Sequence, residues 1–269
     1  MIPQHTRSVP LRSRRFGVLL LLHLTVASVP LGIAKDAPKA DAEELKKVLS
    51  GVDKLWSSKK SEAEMTMTVK TSHYERALKL TLWAEGDTRA LVKINAPAKE
   101  KGTMTLRLGR DIYNFLPKID RTVKVSAAMR SSSWMGSHFS NDDLVGSCHL
   151  AKDYDATLVE ASKHGKTTLW TVDLVPKSGT NLTWSKLRLV VEKERTIPIS
   201  QTYYNERGSK TRTVTFSDVK ELGGRQAPTK ISVTPADLPG EHTDLVYVSL
   251  RHDIKLDPDF FNVDNLKSH

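Results

Sequence analysis

The sequence predicts a mainly β protein of antiparallel strands, with one N-terminal helix and an irregular excursion in mid-chain. Three observations carry that reading. After Ser61, apolar residues recur at every second position in about a dozen short segments, the pattern of strands with one buried and one wet face. Turn-forming pairs punctuate the segments, among them Gly86-Asp87, Gly109-Arg110, Pro117-Lys118 and Gly223-Gly224. Of 269 residues, 39% are hydrophobic and 27% charged, enough apolar surface to offset the entropy of ordering the chain. With 14 Gly, 12 Pro and 1 Cys, collagen-like and disulfide-stapled classes are excluded.

The N-terminus reads as a secretory signal peptide over residues 1–34. Arg7, Arg12, Arg14 and Arg15 open it, and no acidic residue precedes Asp36. An apolar stretch from Phe16 to Ile33 follows, and Gly32-Ile33-Ala34 places small residues for cleavage after Ala34. As a transmembrane anchor the stretch is short and interrupted by His23, Thr25, Ser28 and Pro30. Arg14-Arg15 faintly suggests twin-arginine export, but the general secretory route fits better. Residues 35–269 then form one predicted domain. Losing four arginines lowers the formal charge of +10 to +6. That moderate excess suits transient contact with anionic membrane surfaces, and no basic arm or motif points to nucleic acid. Cys148 is the lone cysteine, so no internal disulfide can form and no N-terminal lipid-bearing cysteine exists.

From Asp41 the period is helical. Ala42, Leu45, Val48, Leu49, Val52, Leu55 and Trp56 make one apolar stripe, with Asp41 as cap and Glu43 and Glu44 in the first turn. Strands follow around Met65, Met67 and Val69; Leu78, Leu80 and Leu82; Ala90, Val92 and Ile94; Met104, Leu106 and Leu108; then 112–116 and 122–125. The pattern breaks between Ser126 and Lys152, where Ser140 and Asp143 have the spacing of a capping arrangement before a short helix. Long excursions of this kind are often functional. Strand patterns resume at 156–162, 168–175, 186–192, 199–204, 211–221, 229–234 and 243–251, and Asp257 to Phe261 reads as a last helical turn.

Chemistry-bearing motifs are sparse. The sequence has no nucleophile elbow, phosphate loop, dinucleotide fingerprint or His-Glu-x-x-His. His138, Asp142, Asp143, Cys148 and His149 are residue types that bind transition metals, but their spacing matches no compact site. Cys148 and His149 are the one local pair a hydrolase could use, and neighbours on a strand point to opposite faces. The reading is of a non-enzyme with no cofactor and no metal. What stands out is apolar: Met65, Met67, Leu78, Leu80, Leu82, Met104, Leu106 and Leu108 share one side of a curved sheet if neighbouring strands keep register, and Trp134, Met135, Phe139 and Leu144 lie in the excursion. Such a surface is either an ordinary covered core or the lining of an acyl-chain site, where each buried CH₂ contributes about 0.8 kcal/mol.

Two stretches go further. Asp111-Ile112-Tyr113-Asn114-Phe115-Leu116-Pro117, followed by Met135-Gly136-Ser137-His138-Phe139 and Asp143-Leu144, resembles the signature of the outer-membrane lipoprotein-sorting (LolA-like) family. The run Thr215-Phe216-Ser217-Asp218-Val219, then Gly224 to Thr229, then Leu256-Asp257-Pro258-Asp259-Phe260-Phe261 is similar to it as well. The resemblance spans most of residues 40–266 and implies an incomplete, strongly curved antiparallel β-barrel closed by helices, whose apolar concavity holds acyl chains. His138 stands where the family motif has Asp, which replaces a carboxylate with a titratable imidazole. The resemblance implies a periplasmic carrier of lipid or lipoprotein acyl chains, working with an inner-membrane transporter of the resistance-nodulation-division (RND) or ABC type. The alternative is an accessory protein of such a complex with a closed core and no lipid.

Overall fold

The computed structural model describes residues 41–268, apart from 142, 144–148 and 181. The expected signal peptide lies outside them. Helix α1 spans Ala42–Asp53, and the Asp41 side chain accepts a hydrogen bond from the Glu43 backbone N–H. Its buried stripe is Leu45, Val48, Leu49 and Val52, as the helical period requires. Gly51 lies close against the turn at Thr196: a Cβ there would lie 2.5 Å from Thr196 Cγ2. The helix stops at Asp53, so Leu55 and Trp56 leave the stripe and pack elsewhere.

Thirteen strands make one sheet. They are β1 (Lys60–Lys70), β2 (Glu75–Glu85), β3 (Arg89–Ala96), β4 (Met104–Leu108), β5 (Asp111–Leu116), β6 (Arg121–Lys124), β7 (Tyr154–His164), β8 (Thr167–Pro176), β9 (Lys186–Glu192), β10 (Ile197–Tyr204), β11 (Lys210–Leu222), β12 (Arg225–Pro235) and β13 (His242–His252). Their order is β6-β5-β4-β3-β2-β1-β13-β12-β11-β10-β9-β8-β7, and every pairing is antiparallel. The chain meanders outward from β1 to β6, crosses to the far edge, and meanders back from β7 until β13 pairs with β1. The edges β6 and β7 do not meet, so the barrel is incomplete. Register shifts at Glu64/Met65, Leu158/Glu160 and Pro198/Ser200 add local bend and twist. The β11–β12 hairpin turns on Gly223-Gly224, both at positive φ, which the tight hairpin turn demands.

The crossing from β6 to β7 contains short 3-10 turns at Ala127–Met129 and Trp134–Gly136 and a one-turn helix, α2 (Leu150–Asp153). The Asp53 carboxylate receives the Leu150 and Ala151 N–H groups at 2.9 and 3.2 Å. Burial holds that carboxylate above its usual pKa, against the lowering effect of the two N–H donors. The expected helical turn at Asp257–Phe261 is instead an irregular turn, closed by Phe260 N–H to Asp257 O at 3.0 Å. Pro258 and the Asp257 side chain, which accepts from Asp259 N–H, favour that local turn over a helix. No helix of the described residues is long and apolar enough to cross a membrane.

The sheet buries residues on both faces. On the inner face α1 and α2 cover β7–β9, where Trp170, Val172, Leu174, Leu187, Leu189 and Val191 pack against the helical stripe. Further along that face Met65, Met67, Leu78, Leu80, Val92 and Ile94 form a second cluster. On the outer face the C-terminal segment, through Leu256, Phe260, Phe261, Val263 and Leu266, covers Leu91, Met104, Leu106 and Phe115.

Candidate functional site

A cavity of about 390 Å³ opens on the inner face, between the strands and the excursion. It lies in the size range of ligand pockets, about 300–1,000 Å³. Its apolar wall comes from two sets of strands: Met65, Met67, Leu80, Leu82 and Val92 on β1–β3, and Val214, Phe216, Ile231, Val233, Leu245 and Tyr247 on β11–β13. Strand alternation explains the wall, because β1 and β2 pair Met65 with Leu80 and Met67 with Leu78. Tyr247 is half-buried at this wall, and burial pushes its phenol pKa up to about 12. Trp56 stacks on Phe216 at 5.8 Å.

The excursion covers this cavity, and contacts from Trp134, Gly136, His138 and Asp143 are among those that hold it. Trp134 inserts into the lining, and its indole N–H donates to Thr105 Oγ1 at 3.1 Å. Tyr74 O–H donates to Gly136 O at 2.6 Å; Gly136 sits at positive φ, and a Cβ there would lie 2.9 Å from that hydroxyl. His138 bonds Thr243 Oγ1 through both its backbone N–H (3.0 Å) and Nδ1 (2.8 Å), and its Nε2 lies 3.2 Å from Glu241. The Ser72 N–H also donates to Glu241, and that bond, with His138, holds the carboxyl below the usual range. Asp143 pairs with Arg212 on β11 through two contacts of 2.6 and 2.7 Å. The expected capping arrangement is present: Ser140 N–H and Oγ donate to Asp143 Oδ2, and Asp143 N–H donates to Ser140 Oγ. Beyond residue 148, His149 meets Asp87 in the β2–β3 turn at 2.6 Å, at the opposite strand ends from Tyr74 and Glu241.

Two guanidiniums reach the lining. Arg107 is 7% exposed, and burial draws its pKa down while Asp87 draws it back up. At Arg212 burial opposes the charge, but the Asp143 hydrogen bonds and charge outweigh it and raise the pKa. The Arg212 guanidinium also lies 4.3 Å from the Tyr203 ring centre and 5.9 Å from that of Trp184, a cation–π arrangement.

The structure divides the residues expected to line one surface. Met65, Met67, Leu80, Leu82, Trp134 and Phe139 border the cavity; Leu78 and Met135 pack in the adjoining core; Leu144 lies outside the described residues. Met104, Leu106 and Leu108 face the other way. The β3–β4 register pairs Val92 with Thr105 and Leu91 with Leu106, so β4 turns Thr105 and Arg107 inward. Its three apolar side chains instead meet Phe261 and Leu266 on the outer face, a cover supplied by a segment about 150 residues further along the chain. The β11–β13 wall was legible as alternation but not as lining. Arg212 could have been noticed because it shares its strand face with Val214 and Phe216. The His/Asp/Cys cluster disperses: His138, Asp143 and His149 have three separate partners, and Asp142 and Cys148 are outside the described residues. Among the described residues no group of His, Cys, Asp and Glu could hold a metal ion.

Comparison with known proteins places the fold. A protein-family model described as an uncharacterized protein family matches residues 86–268. No curated protein matches. Among solved structures, an outer membrane lipoprotein-sorting protein domain from Vibrio parahaemolyticus is 21% identical with a TM-score of 0.71, covering 84% of this chain and 100% of its own. A DUF1329 family protein from Desulfovibrio piger is 19% identical with a TM-score of 0.75, covering 85% and 100%. A LolA superfamily protein from Nitrosomonas europaea is 20% identical with a TM-score of 0.69, covering 84% and 99%. The chain belongs to the family of the matching model, and its fold is that of the LolA-like lipoprotein-sorting proteins.

Proposed function

We propose that this protein is a periplasmic carrier that holds acyl chains of a lipid or lipoprotein in the inner-face cavity. It moves them between envelope membranes or to an inner-membrane transporter of the RND or ABC type. The observation that carries this reading is the cavity itself: a lining dominated by Met, Leu, Val and aromatic side chains, under a segment held by a few polar contacts. Methionine adapts to flexible chains, and apolar burial rewards any acyl chain without requiring a specific polar partner. The mechanism is binding and release through movement of residues 134–141, without covalent chemistry. The arginine-rich, apolar stretch 1–34 supports export. The β5–β6 hairpin supports transient membrane contact, because Leu116, Ile119 and Val123 are exposed there beside Lys118, Arg121 and Lys124.

The test is native mass spectrometry of residues 35–269 purified gently from the native envelope, paired with a neutral fluorescent apolar probe. A stoichiometric lipid or acylated peptide is expected, and Leu82→Asp, at the half-buried cavity wall, should abolish probe uptake while the circular-dichroism spectrum is kept. A folded protein that carries no lipid and takes up none from total envelope lipid would instead be a closed-core accessory protein.

A further inference from the structure

Arg212 is an arginine fork fixed on the wall of an otherwise apolar cavity. Both of its terminal nitrogens bond one carboxylate, Asp143, at 2.7 and 2.6 Å, and both side chains are mostly buried, at 17% and 16% exposure. The fork is carried by β11, and the Tyr203 and Trp184 rings lie against its guanidinium, contacts it has besides Asp143. The carboxylate, by contrast, belongs to the covering segment and has other donors. Ser140 N–H and Oγ hold Asp143 Oδ2 at 2.7 and 2.9 Å, so Asp143 can leave Arg212 without being stranded. Planar guanidinium binds carboxylate and phosphate oxygens in the same two-point geometry.

We propose that Arg212 is the seat for the anionic group, carboxylate or phosphate, of an acyl-chain ligand, and that Asp143 occupies this seat in the structure described. The proposal rests on the carrier reading and narrows it: the ligand is an anionic amphiphile rather than a neutral lipid. Its anion displaces Asp143 from Arg212 while its chain lies along Met65, Leu80 and Leu245. Because Asp143 is part of the cover, head-group binding and movement of the cover become one event.

The experiment titrates the full mature chain with parinaric acid and with its methyl ester, which differ in one negative charge. Wild-type protein is expected to prefer the acid by about tenfold or more, the scale of a charge-assisted pair of hydrogen bonds. Arg212→Gln should reduce that preference to near unity, Arg212→Lys should leave an intermediate preference, and Asp143→Asn should raise it by freeing the fork. Displacement of parinaric acid by palmitate or by a single-chain phosphatidate then identifies the head group as carboxylate or phosphate. An Arg212→Gln protein that keeps the wild-type preference overturns the proposal, as does an Asp143→Asn protein whose preference is unchanged. The second variant decides the matter if the first does not fold. Wild-type protein that binds the ester as well as the acid overturns the anion seat and leaves the carrier reading standing. Wild-type protein that binds neither overturns the carrier reading and this one with it.

Discussion

The two halves of the inner face use the same strand alternation to opposite ends. Over β7–β9 the face is filled: α1 lays Leu45, Val48, Leu49 and Val52 onto Trp170, Val172, Leu187 and Leu189. Over β1–β3 and β11–β13 the same face leaves a cavity of about 390 Å³. The difference is the length of the cover. A helix of 12 residues is about 18 Å long, enough for one side of a 13-stranded sheet. Where α1 ends, Leu55 and Trp56 close one end of the remaining space, and the rest of the cover is the excursion, held by side-chain hydrogen bonds and by the packing of Trp134, Met135 and Phe139. A helix that buries a continuous stripe fills its half, whereas the segment joined through Trp134, Tyr74, His138 and Asp143 packs Trp134, Met135 and Phe139 at the edge of a cavity.

The largest expected effect tests that contrast directly. Leu189→Ala, in the filled half and fully buried, should cost about 2–5 kcal/mol in urea unfolding, through lost transfer energy and a new void. Leu245→Ala, at the cavity wall, should cost about 1–2 kcal/mol because its side chain already borders open space. It should also weaken probe binding, which Leu189→Ala should not. Equal losses of stability would mean that the open half is packed like the filled one, and the comparison would fail.

A smaller effect tests the excursion. Trp134→Phe keeps an aromatic ring under the cover but removes the hydrogen bond to Thr105 Oγ1, itself bonded to Asn114. The expected loss is about 1–2 kcal/mol, and it should be local. Amide exchange should quicken in residues 134–141 while the α1 and β9 amides keep their protection. Uniform acceleration across both halves would show the excursion to be part of the main core.

These contrasts were unevenly legible in the sequence. The strands and α1 follow from period two and period 3.6, and the structure returns them within a few residues, because burial on one face is written locally. The face to which β4 turns was not legible. Met104, Leu106 and Leu108 share a parity that local reading joins to Met65 and Leu80, yet they lie on the outer face, where Phe261 and Leu266 return to cover them. A long-range cover leaves no local period. For the same reason the partners of His138 and Asp143, which lie about 100 and 70 residues away, could not be read from a motif that shows only its own segment.

The smallest expected effect concerns the closed end of the open half, where Leu55, Leu222 and Leu250 meet and the His252 ring lies under the Gly223 turn. A Cβ at Gly223 would fall 2.8 Å from His252 Nε2, and neither ring nitrogen has a hydrogen-bond partner among the described residues. Burial, with the Arg225 charge in support and Asp253 opposing, holds the His252 pKa below its ordinary value of 6.5. The sign follows: the unfolded chain takes up this proton first as pH falls, so stability from the neutral ring is complete above about pH 6.5 and declines below it. Thermal midpoints followed from about pH 7 to about pH 5 should therefore fall more steeply for wild type than for His252→Phe, which cannot titrate. Parallel profiles would show that this end admits a proton as freely as the unfolded chain does. The open half would then lack a sealed end, and the contrast with the filled half would extend along the whole strand length.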